Sequence, residues 1–87
     1  MNLATLLASI ADAQIAKDDA KKEELKSEFL KRIQGHDEQK ILMESLGSAL
    51  AGRKYISFGR NACPPESLNN EGFKLRDTGC MFDYYFG

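Results

Sequence analysis

Leu3, Leu7 and Ile10, with Gln14 continuing the row, fall on one side of a helix advanced by about 100° per residue, and Leu25, Phe29 and Ile33 do the same. Between these patches stands the charged run from Lys17 to Glu24, where the row positions Asp18, Lys21 and Lys22 are polar. Two arrangements satisfy this interrupted seam: one helix with solvated middle turns, or two shorter helices with a bend near Asp18 and Asp19. No Gly or Pro occurs from Leu3 to Gln34. Asp18 with Lys22 and Glu28 with Arg32 form acid-before-base pairs worth about 0.2–0.5 kcal/mol each in a helix. The pattern therefore favours one long helix.

Gly35 supplies the stop. It can take the left-handed conformation that follows a helix end, and Lys31 and Arg32 stand in the preceding turn, where the carbonyl end of the helix dipole favours cations. Asp37 reads as the N-cap of a second helix with Glu38 in its first turn. That helix carries Leu42, Leu46, Ala49 and Leu50 on one face and stops at Gly52. The short connection makes the two helices neighbours in an αα-hairpin, the first roughly twice as long as the second.

Beyond Gly52 the periodicity changes. Seven of the eight aromatic residues lie there, and aromatic side chains fit pleated surfaces better than helices. Three segments read as strands: Lys54 to Phe58, Gly72 to Arg76, and Cys80 to Phe86. Asp77-Thr78-Gly79 suits a hairpin turn between the last two. The stretch from Arg60 to Glu71, with Pro64-Pro65 and Asn69-Asn70, leaves the pairing of the first two open. The expected architecture is helix-dominated α+β: a helical hairpin over residues 1–52, then an aromatic-rich antiparallel hairpin or meander over 53–87, all one domain. Strands this short cannot enclose a core alone.

Length and charge narrow the picture further. The 87 residues suit one domain, since a chain of this size buries about 60% of its unfolded surface. Net charge is −1, with 8 basic and 9 acidic side chains up to Arg53 and 4 of each after it. That balance lacks the basic field of a dedicated nucleic-acid binder. No apolar run approaches the ~20 residues of a membrane span. Leu3 to Ile10 is followed by the small-x-small triplet Ala11-Asp12-Ala13, but no Lys or Arg precedes it and Thr5 and Ser9 fit a helix, so a cytoplasmic location is expected. Two cysteines, Cys63 and Cys80, are too few for a disulfide framework and read as small buried apolar groups.

A catalytic constellation is hard to assemble from these residues. His36 is the lone histidine, in the inter-helix turn, where a solvated imidazole is expected; a nucleophilic pair would need Cys63 or Cys80 brought to it. Neither the Cys and His spacing nor the scattered glycines match a zinc site or a phosphate-binding loop, so neither an enzyme nor a bound cofactor is expected. Two features point instead to partners. Met81 to Phe86 is bulky on both faces of a strand, so either Phe82, Tyr84 and Phe86 or Met81 and Tyr85 face away from the core. The first helix also has more length than its hairpin mate can cover.

The reading is a non-enzymatic module, an adaptor or inhibitor, that occupies a surface of another protein. Its expected contacts are Phe82, Tyr84, Tyr85 and Phe86, with Leu3, Leu7 and Ile10 as a second surface. A homodimer joined through that second surface is the nearest variant. A small nucleic-acid-binding regulator is the third reading, carried by the basic-aromatic stretch from Arg53 to Arg60.

Overall fold

The computed structural model describes residues 2–58, 66–77 and 82–86. Three helices, α1 (Leu3–Ile15), α2 (Asp19–Arg32) and α3 (Gln39–Leu50), precede three short strands, β1 (Tyr55–Phe58), β2 (Lys74–Asp77) and β3 (Phe82–Tyr85), with a 3-10 segment, η1 (Glu66–Glu71), between β1 and β2. The helix-dominated α+β class, with a small antiparallel sheet after the helices, stands as expected.

The single long first helix does not. It divides at Ala16, and the reason lies in the backbone. Lys17 takes a left-handed conformation, φ 58°, its N–H donates to Gln14 O at 3.1 Å, and Asp18 N–H donates to Ala13 O at 2.9 Å. These bonds form a Schellman closure with lysine in the place glycine usually occupies. Asp18 then serves the next helix, its Oδ1 accepting from Lys21 N–H at 3.2 Å. The apolar seam ends where the charged run begins, so the chain folds α2 back along α1 and covers Leu7 and Ile10 with Leu25, Phe29 and Ile33. Burial of that seam outweighs the weak charge pairs that favoured continuity.

The turn after α2 also differs in detail. Gly35 is left-handed, φ 74°, as its position suggested. Asp37 is not the N-cap; Glu38 holds that place without a side-chain bond, and His36 Nδ1 accepts the Glu38 N–H at 3.0 Å instead. At the far end of α3, Gly52 (φ 81°) donates to Ala49 O and Arg53 N–H to Ser48 O, closing the helix at the expected residue.

β3 is the central strand, in the order β1-β3-β2, antiparallel throughout, so β1 pairs with β3 and the sheet is not a sequential meander. Its inner face sets Ile56, Phe73, Tyr84 and Phe86 against the helices and Leu68. The rings of Phe73 and Phe86 and of Phe58 and Tyr84 meet edge to face, with centroids 5.8 and 5.7 Å apart. Tyr84 donates its hydroxyl hydrogen to Asn69 Oδ1 at 3.1 Å, tying the sheet to η1. Two further ties fix the sheet to the helices. Lys54 Nζ meets Asp12 Oδ1 at 2.6 Å, and Gly72 (φ 90°) packs so closely on the N-capping Asn2 that a Cβ there would fall on the Asn2 amide. No helix of the described residues is long and apolar enough to cross a membrane.

Candidate functional site

Strand register decides which aromatic side chains belong to the core. Directly opposed residues share a face: Tyr55, Tyr85 and Lys74 form one row, and Ser57, Asp83 and Arg76 the next row on the same side. The alternate rows, with Ile56, Tyr84 and Leu75 and then Phe58 and Phe82, point to the helices. Of the two orientations that the bulky last segment allowed, the fold adopts the one that turns Tyr85 outward.

Most of the expected contact residues are therefore core. Tyr84, Phe86, Leu3, Leu7 and Ile10 are buried, at most 4% exposed, because α2 and α3 pack over α1 and the inner sheet face closes on the same core. They offer no surface to a partner or to a second copy of the chain. Phe82 and Tyr85 are half-buried. Met81, Cys63, Cys80 and Pro64-Pro65 lie outside the described residues.

The outer face of the sheet carries Tyr55, the one exposed aromatic side chain among the described residues, beside half-buried Tyr85. Tyr55 and Tyr85 set their rings 5.6 Å apart at 31°. The Arg76 guanidinium stands 6.0 Å from the Tyr85 ring centre, and its Nη1 donates to the Tyr85 hydroxyl at 3.4 Å. Lys74 and Arg76 are both exposed. Asp83, opposite Arg76 in register, is only 8% exposed and its Oδ1 accepts no hydrogen bond. Beside Lys74 and Tyr85 a cleft of about 290 Å³ opens, bounded also by Asn2, Thr5, Gly72 and Phe86. On the inner side of edge strand β2, Leu75 is 49% exposed.

This group was only partly legible. Tyr55 lay in the basic-aromatic stretch singled out in the sequence, but Lys74, Leu75 and Arg76 carried no signal beyond strand propensity. Only the order β1-β3-β2 brings them beside Tyr55 and Tyr85.

His36 is more engaged than a solvated turn residue would be. Its Nδ1 accepts from Glu38 N–H, which assigns the proton of a neutral ring to Nε2, and Nε2 lies 3.5 Å from Glu71 Oε1. The imidazole thus links the α2–α3 turn to η1. Among the described residues no group of three His, Cys, Asp or Glu side chains gathers into a potential metal site. No protein-family model, curated protein or solved structure matches the chain.

Proposed function

We propose that the chain is a non-enzymatic protein-binding module that presents the outer face of its sheet to a larger protein. The observation that carries this reading is the Tyr55–Tyr85 ring pair on the outer sheet face, Tyr55 exposed and Tyr85 half-buried, with Arg76 leaning over the Tyr85 ring. Tyr and Arg are the side chains most enriched among binding anchors, because they bring large contact area and directional donors at low entropic cost. Two rings already packed on each other lose little freedom when a partner covers them.

A direct test uses the tagged chain as bait beside a Tyr55→Ser, Tyr85→Ser variant of unchanged thermal stability. The reading expects a protein retained by the first and lost by the second. Equal retention by both would remove it.

A second reading rests on the same rings. Two aromatic faces beside Lys74 and Arg76 match the stacking-plus-cation chemistry that holds single-stranded nucleic acid on sheet surfaces. It predicts oligonucleotide binding that weakens steeply with salt, whereas the protein-binding reading predicts little retention on nucleic acid at physiological ionic strength.

A further inference from the structure

β2 is an edge strand whose three described side chains, Lys74, Leu75 and Arg76, are all exposed, while its neighbour β3 is half-buried or buried throughout. Every second backbone N–H and C=O of such a strand points away from the sheet, and among the described residues none of those of β2 has a ladder partner there. We infer that this edge accepts an extended segment of a partner protein as a fourth strand, one that alternates acidic and apolar residues. The inference rests on the protein-binding reading and names the chemistry of the partner.

Alternation follows from the pleat. A strand laid along β2 sets its side chains opposite those of β2, face by face. On the outer face it meets Lys74 and Arg76, and on the inner face Leu75. No carboxylate among the described residues lies within ion-pair distance of either cation. Asp83 stands opposite Arg76 in register, yet the guanidinium leans over Tyr85 instead, and Asp83 itself is buried. Both positive charges therefore remain for an incoming chain, and the complementary side chains are Asp or Glu on one face and an aliphatic group against Leu75 on the other.

The same charges argue against a second copy of this chain as the added strand. Antiparallel pairing of two β2 edges about Leu75 would set Lys74 of one copy against Arg76 of the other, and like charges directly opposed destabilise a ladder. Charged edges of this kind discourage self-pairing while leaving the edge open to a chain of opposite sign.

The test titrates the isotope-labelled full chain with a short synthetic peptide alternating glutamate and valine. Three control probes accompany it: the alternating lysine–valine peptide, a peptide with the glutamates and valines in separate blocks, and a single-stranded oligothymidylate. Saturable shifts in the Lys74, Leu75 and Arg76 amides with the alternating acidic peptide alone are expected. Lys74→Glu with Arg76→Glu should weaken that peptide by about tenfold or more and admit the lysine–valine peptide, and the milder Lys74→Gln, Arg76→Gln pair should give a smaller loss in the same direction. Equal binding of the blocked peptide, shifts confined to other elements, or tighter occupation of these amides by oligothymidylate would overturn the inference. If the acidic peptide fails while Tyr55→Ser, Tyr85→Ser still abolishes capture of a protein, the edge inference falls and the protein-binding reading stands. Failure of both experiments removes both.

Discussion

Replacing Lys17 by glycine should stabilise the protein, and the sign of that effect reports directly on the turn between α1 and α2. Lys17 sits at φ 58° with an exposed side chain, so the substitution removes no packing. A left-handed conformation costs a residue with a Cβ about 1–2 kcal/mol, and glycine is spared that cost. Against this, glycine frees the unfolded chain by about 0.4–1 kcal/mol. The balance is a gain of roughly 0.5–1 kcal/mol. Were α1 and α2 one continuous helix, the same glycine would stand in a helix interior and cost about 1 kcal/mol. Urea unfolding separates the two, because a chain of this size has a slope near ~1 kcal/mol per molar urea and the midpoint should rise by about 0.5–1 M. A lower midpoint would refute the Schellman closure at Lys17.

Two other positions carry expectations of similar clarity. Gly72→Ala should cost about 2 kcal/mol or more, since φ 90° strains any L side chain and the new methyl would push Asn2 off Thr5 N–H, which Asn2 Oδ1 now caps at 2.8 Å; a lowered melting temperature with faster hydrogen exchange at the first α1 amides checks it. His36→Ala should cost about 1–2 kcal/mol by leaving the Glu38 N–H without its acceptor and η1 without its link to the helical turn, and hydrogen exchange at the Glu38 amide should accelerate more than at α1 amides.

The helix termini at Gly35 and Gly52 were legible because glycine is the residue that left-handed closure selects, and both take positive φ. The closure at Lys17 was hidden for the converse reason. Nothing in a lysine announces a turn, and the decision was made by tertiary burial of Leu25, Phe29 and Ile33 on α1. His36 hid in the same way: its identity fitted a loop, and only the fold brought Glu38 N–H and Glu71 to its two nitrogens.

The candidate site turned on parity. A strand period of two divides Phe82 to Phe86 into two faces but does not say which face meets the core. The larger aromatic set, Phe82, Tyr84 and Phe86, went inward, where it buries more apolar area against the helices, and Tyr85 was left outside with Tyr55. Pairing of β1 with β3 across the sequence-distant gap then assembled the outer face, and no local pattern encodes that pairing.

Tyr84 and Tyr85 are adjacent in sequence and opposite in role, so the most direct measurement compares Tyr84→Ser with Tyr85→Ser by urea unfolding and by partner capture on the same preparations. Tyr84→Ser should lose about 3–5 kcal/mol, as a buried ring in contact with Phe58 and Phe73 is removed. Tyr85→Ser should keep its stability within about 1 kcal/mol and lose capture. Equal destabilisation by the two substitutions, or full capture by a folded Tyr85→Ser chain, would contradict the assignment of the outer sheet face as the binding surface.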